Sequence, residues 1–112
     1  MDIKFKTKKF QKECNNQKLL VRSFGKRQAD LIRRRLDELL AATSLNDLRF
    51  LPGPRCHELK GNRSGQFSVD LDHPYRLIFK PANDPVPQKP DGGLDWRRIN
   101  AVEINGIEDT HE

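Results

Sequence analysis

HELKGNRSGQFSVDLDHPYRLIF, residues 57–79, is the stretch on which the fold turns. Its apolar residues recur every second position. Phe67, Val69 and Leu71 alternate with Ser68 and Asp70, as in a half-buried strand. Tyr75, Leu77 and Phe79 continue the inward face, while Arg76, Ile78 and Lys80 point the other way. Asp72-His73-Pro74 reads as a tight turn between the two runs, because Pro74 biases His73 away from helix. Upstream, His57 and Leu59 share one face of a further strand and Glu58 and Lys60 the other; Gly61–Gly65 is the turn that follows.

Working outward, residues 81–97 break the alternation with Pro81, Pro85, Pro87, Pro90 and Gly92-Gly93, a long loop. Residues 98–107 return to strand, with Val102 and Ile104 on one face, Ile99 and Ala101 on the other, and Gly106 marking a bulge or bend. Towards the N-terminus, Pro52-Gly53-Pro54 stops any helix. Ser44 followed by Asp47 suggests an N-cap for one short turn. Residues 26–42 form the strongest helix, with a stripe of Ala29, Ile32, Leu36, Leu39 and Leu40 against a polar face rich in arginine. Residues 7–15 look helical through Phe10 and Cys14, and Ile3 and Phe5 open the chain as a strand. Helices precede a run of strands. The expectation is therefore an α+β fold in one domain, residues 1–112, with 81–97 as an inserted loop. Two N-terminal helices would pack on one face of a mostly antiparallel, twisted sheet of four to five strands, and the first strand would run parallel to the last.

The bulk properties narrow the class. A chain of 112 residues carries one modest core. Mean hydropathy is low at −0.82, but the periodic apolar residues argue against disorder. Residues 1–60 hold 15 Lys/Arg against 7 Asp/Glu, and residues 61–112 hold 6 against 9. A basic front half suits nucleic acid or an acidic protein partner; a merely soluble surface accounts for it as well. Cys14 and Cys56 have neither disulfide-framework nor zinc spacing and read as reduced thiols, as expected in the cytoplasm. The charged N-terminus does not read as a signal peptide, and no stretch has transmembrane length.

The same hairpin carries the chemistry. Arg76 sits mid-strand between apolar neighbours, where a guanidinium must be paired or must face a polar concavity. Bidentate phosphate binding is one role. A salt bridge to Asp70 across the hairpin is the other, and the residues alone lean to it. His57 by itself reads as a partly buried strand histidine, His73 as structural and His111 as a terminal residue. Together with Lys60, Arg63 and Arg76, one or two histidines form the set that RNA cleavage without a metal needs. A base takes the 2′-hydroxyl proton, a cation stabilises the phosphorane, and an acid protonates the leaving 5′-oxygen.

The order of these pieces resembles the RelE/ParE toxin superfamily, most closely its HigB-like branch. The resemblance rests on the helical front half and the segment Ala41-Ala42-Thr43-Ser44-Leu45-Asn46-Asp47-Leu48. It continues through His57-x-x-Lys60-Gly61, Arg63-x-Gly65-x-Phe67-Ser68, Tyr75-Arg76-Leu77-Ile78-Phe79, and the ending Val102-Glu103-Ile104 with Glu108-Asp109-Thr110-His111. It implies the toxin of a toxin–antitoxin pair that cuts mRNA on the ribosome with no metal or other cofactor. A helix-turn-helix, HigA-like antitoxin would hold it inactive, and operator DNA would be met through that antitoxin; no membrane is involved. Residue by residue, the resemblance assigns His57, Lys60, Arg76, Asp109 and His111 to catalysis, and Lys60, Arg63 and Arg76 to RNA. Two departures stand out. Thr110 replaces a tyrosine and cannot stack on a base, and the 81–97 loop replaces a short turn. Trp96 in that loop either anchors a partner or covers the core edge, the second being favoured. The alternatives are a ParE-like gyrase inhibitor on the same fold, and an inactive module binding antitoxin or RNA.

Overall fold

The computed structural model describes residues 1–109. The elements run β1 (Asp2–Phe5), α1 (Lys8–Cys14), α2 (Gln17–Phe24), α3 (Lys26–Ala41), α4 (Asn46–Arg49), β2 (His57–Glu58), β3 (Phe67–Asp70), β4 (Tyr75–Pro81) and β5 (Ala101–Asp109). The five strands form one sheet in the order β1-β5-β4-β3-β2. β1 lies parallel to β5, pairing Ile3 with Val102 and Phe5 with Ile104. The other three pairings are antiparallel. The fold class is the expected one.

The helical layer differs from the expectation in one respect: four helices, the last a single short turn, lie between β1 and β2, where two helices and a short turn were expected. α2 is the addition. Asn16 starts it, its Oδ1 accepting from the Lys18 and Leu19 amides at 3.0 and 3.3 Å. Gly25, at φ +83°, separates it from α3, a conformation that a side chain would strain. α1 has its own cap, the Thr7 hydroxyl accepting from the Phe10 amide. The short α4 is not capped by Ser44. Instead the Asp47 carboxylate turns back to accept from the Thr43 amide and hydroxyl at 2.9 and 2.8 Å, which holds its pKa below the usual carboxylate range.

Helices and strands meet in one core. Ala29, Ile32, Leu36 and Leu39 of α3 pack with Leu20, Leu45 and Leu48 against Phe67, Val69, Leu77, Phe79, Val102 and Ile104. This defines the inner face of the sheet. Phe67 stacks on Phe79 with ring centroids 5.7 Å apart. The bulge falls where Gly106 suggested: Ile78 faces Gly106 but Phe79 faces Ile104, so Asn105 is the extra residue. The 81–97 segment is less loop-like than its prolines imply. β4 extends to Pro81, Gln88 bridges Leu94, and Trp96–Arg98 form a 3-10 turn. Trp96 sets its edge against Phe67 at 4.9 Å, so it does cover the core edge.

Candidate functional site

Alternation puts Ser68 and Asp70 of β3, Arg76 and Ile78 of β4, and Glu108 of β5 on the outer face, away from the helices. His57 joins them, because it pairs with Ser68. An outer face is usually wet, yet Ser68 and Ile78 are fully buried here. The cover comes from the connection between β2 and β3. Arg63, in the 3-10 turn Gly61–Arg63, reaches Glu108 on β5 and so crosses β4. The pair is bidentate, at 2.7 and 2.8 Å, and Arg63 also donates to Gln66 Oε1 at 2.8 Å. Arg63 holds the Glu108 carboxyl below its ordinary pKa, against a smaller opposing effect of burial. Glu58 closes the base of the same turn by accepting from the Ser64 hydroxyl and the Gly65 amide.

Asp70 is the fixed point of the site. Its amide donates to Pro54 O at 2.8 Å, and its carbonyl accepts from Arg35 Nε at 2.6 Å. Its carboxylate lies 3.5 Å from Arg76 Nε and 3.5 Å from a guanidinium nitrogen of Arg55. Arg76 therefore makes the cross-hairpin salt bridge that the residues favoured, and its side chain is only 15 % exposed. The salt bridge does not exclude a second role, since a guanidinium has five donors.

His57 is oriented by backbone. Its Nδ1 is 3.2 Å from the Arg55 carbonyl, and its Nε2 is 3.5 Å from Ser68 Oγ. A carbonyl accepts and never donates, so in the neutral ring Nδ1 carries the proton and Nε2 the lone pair. Arg55 presents that carbonyl from φ +48°, a conformation uncommon for a residue with a side chain and frequent at functional sites. Burial pushes the thiol of the neighbouring Cys56 up to about 12.

The remaining expected residues fall around this face. Lys60 is exposed at the entrance to the covering turn. Asp109 pairs with Tyr75 at the open end of the sheet, on the opposite face from Glu108 by alternation. His111 and Thr110 lie outside the described residues. His57 and Arg76 thus share a face, with β3 between them; counting strand spacing and rise, their Cα atoms are about 12 Å apart. Ser68, Arg55 and Glu108 belong to the site without having been expected there. The signal for them was the apolar pair Leu59 and Ile78 on a nominally polar face. Among the described residues, no group of three or more His, Cys, Asp or Glu is arranged to hold a metal ion, and no helix is long and apolar enough to cross a membrane.

A family model described as the RelE-like toxin of the type II toxin–antitoxin system HigB matches residues 4–89. The chain belongs to this HigB-like toxin family. Toxin HigB-1 of Vibrio cholerae serotype O1 is 45 % identical over 47 residues, which is 42 % of this chain and 50 % of that protein. The chain thus matches about half the length of this curated HigB relative. Solved structures share the fold across nearly the whole chain. A YoeB/ParE toxin from Agrobacterium tumefaciens superposes with a TM-score of 0.57 at 12 % identity, over 99 % of this chain and 100 % of that one. The YoeB dimer from Staphylococcus aureus gives 0.56 at 18 % identity, over 100 % and 98 %. The YoeB–YefM complex from the same organism gives 0.54 at 15 % identity, also over 100 % and 98 %. The HigB-like match ends at residue 89, so β5, with Glu108 and Asp109, lies beyond it.

Proposed function

We propose that this chain is the toxin of a toxin–antitoxin pair and acts as an endoribonuclease on mRNA held by the ribosome, in the cytoplasm, without a metal. The observation that carries the reading is the orientation of His57. Its Nδ1 faces a carbonyl and its Nε2 faces the Ser68 hydroxyl, on the same face as Arg76.

In this reading the substrate lies along the outer face. His57 Nε2 takes the proton of the 2′-hydroxyl, and the 2′-oxygen attacks phosphorus. Arg76, steadied by Asp70, donates to the non-bridging oxygens as charge builds on them, with Lys60 at the rim. The P–O5′ bond breaks, the 5′-oxygen takes a proton, and the products are a 2′,3′-cyclic phosphate and a 5′-hydroxyl. In this reading His111, which with Asp109 matches the Asp and His of the family's C-terminal motif, gives that proton. Proton transfer by one positioned group contributes roughly 10²–10⁴ in rate. Arg63 acts by holding the covering turn to β5 through Glu108, and it contacts RNA where a phosphate competes for that guanidinium. A helix-turn-helix, HigA-like antitoxin would silence the toxin and link it to operator DNA.

Induced expression of the wild type, His57→Ala, Arg76→Ala and His111→Ala in a bacterial host, with transcript 5′ ends mapped, tests this. Growth arrest with new ends inside translated messages is expected for the wild type, and its loss in the variants. Arrest with intact messages would redirect the reading to gyrase or another target. Folded expression without arrest would make the chain an inactive binding module.

A further inference from the structure

A second surface lies apart from the cleavage chemistry. An open groove of about 580 Å³ runs between α4 and the segment preceding β5, lined by Arg49, Phe50, Lys89, Trp96, Arg97 and Arg98 among others. Four of these side chains are cations, and Asp95 is the one carboxylate lining it. Phe50 projects from it 75 % exposed, the largest exposure among the exposed large apolar residues described. Trp96 is fixed from below by its edge contact with Phe67. The Arg49 guanidinium lies 4.2 Å from the Trp96 ring centroid, extending the platform as a stacked cation. Neither Arg97 nor Arg98 is in a salt bridge among the described residues.

An exposed aromatic among four cations, of which Arg97 and Arg98 are outside any salt bridge among the described residues and Lys89 is held only by an exposed pair to Asp91 at 3.9 Å, is on a rigid base the composition of a single-strand RNA platform: bases stack and phosphates pair. A peptide anchor needs the opposite relief, an apolar hole into which the partner's side chain descends; here the apolar residue protrudes. The groove lies on the other side of the sheet from His57 and Arg76. Trp96 packs on the inner face, and β4 carries the chain from Arg76 to Pro81, about 17 Å, before the segment begins. A message lying along the outer face would have to pass round the edge of the sheet to reach it.

We propose that this groove docks a single-stranded stretch of ribosomal RNA, with one unstacked base on Phe50 and phosphates on Lys89, Arg97 and Arg98. The inference rests on the ribosome-dependent reading above and adds the surface that reads the ribosome itself. Arg49, Phe50 and Lys89 lie within the HigB-like match, and Trp96, Arg97 and Arg98 lie beyond its end at residue 89.

Co-sedimentation of the full chain with vacant ribosomes, free of message, tests it across a salt series. The wild type is expected to pellet. Arg97→Glu combined with Arg98→Glu is expected to weaken binding at least tenfold and to flatten the log–log salt slope by about 1.4. Phe50→Ala is expected to weaken it roughly five- to hundredfold. All three side chains are exposed, and Trp96 fluorescence reports that the variants are folded. Variants that bind like the wild type overturn the proposal. So does a wild type that binds only message-loaded ribosomes, or none, and so does a loss confined to antitoxin binding, which would mark an acidic protein partner. Nuclease activity is read separately from mapped 5′ ends. Groove-dependent binding without message cleavage would keep this proposal and remove the nuclease, and cleavage with unaffected variants would do the reverse.

Discussion

Replacing Arg35 by methionine should destabilise the fold by about 3–4 kcal/mol, and the loss should reach the site. Arg35 leaves α3 with its side chain 8 % exposed. Nε donates to Asp70 O at 2.6 Å, one terminal nitrogen to Gly53 O at 3.1 Å, and the other to the Glu38 carboxylate at 2.9 Å. Methionine fills similar space but donates nothing. Two carbonyls lose charged hydrogen bonds, worth roughly 1.5 kcal/mol each at the lower end of the range. Glu38 loses its partner but keeps some water, being 26 % exposed, so its share stays below the roughly 3–5 kcal/mol of a fully buried broken pair. At about 4 °C per kcal/mol for a domain near this size, the melting temperature should fall by about 12–16 °C. Arg35→Lys keeps the charge and part of the bonding and should fall between. Thermal unfolding followed by circular dichroism reads all three proteins. A shift under about 3 °C for the methionine variant would refute the claim that Arg35 ties helix, turn and β3 together. The site consequence is separable: because Asp70 also holds Arg76, folded Arg35→Met at low temperature should show weakened toxicity.

Two further outcomes follow from the same geometry. Glu108 has a lowered folded pKa, so its ion pair adds stability above the ordinary glutamate range and loses it as pH falls through the folded value. Glu108→Gln should thus be less stable than wild type near neutral pH, by under about 1 kcal/mol for a half-exposed pair. The difference should vanish under acid; urea titrations at both pH values check this. Cys14 and Cys56 are both raised to about 12 by burial. Neither should react with iodoacetamide in the folded protein at pH 8, whereas both should in urea; intact mass spectrometry gives the count.

The hairpin, α3 and the Gly106 bulge were legible because each rests on local periodicity or backbone freedom. The Arg76–Asp70 pair was legible because register follows from the turn between them. α2 was not: Leu19, Leu20 and Val21 are contiguous, so its stripe is blurred, and it spans just Gln17–Phe24. Arg35 read as one of several arginines on the polar face of α3, and its burial is set by groups 18 and 35 residues away. Ser68 read as a wet outward residue, because what covers it depends on an ion pair spanning 45 residues. Lys60, Arg63, Arg76 and the Asp70 partner of Arg76 were visible in the sequence, whereas Arg55, Ser68 and Glu108 were not. His57 shows the limit most clearly. The residue was identifiable, but the carbonyl that fixes its tautomer comes from the unusual backbone of Arg55.

The most direct test of the central claim is cleavage of a defined message on purified ribosomes, followed in single turnover with wild type, His57→Ala and Arg76→Ala. Ribosome-dependent cuts within the reading frame are expected, ending in a 2′,3′-cyclic phosphate and a 5′-hydroxyl. Each substitution should slow them by about 10² or more. Undiminished cleavage by both folded variants would contradict it, and so would products bearing a 5′-phosphate.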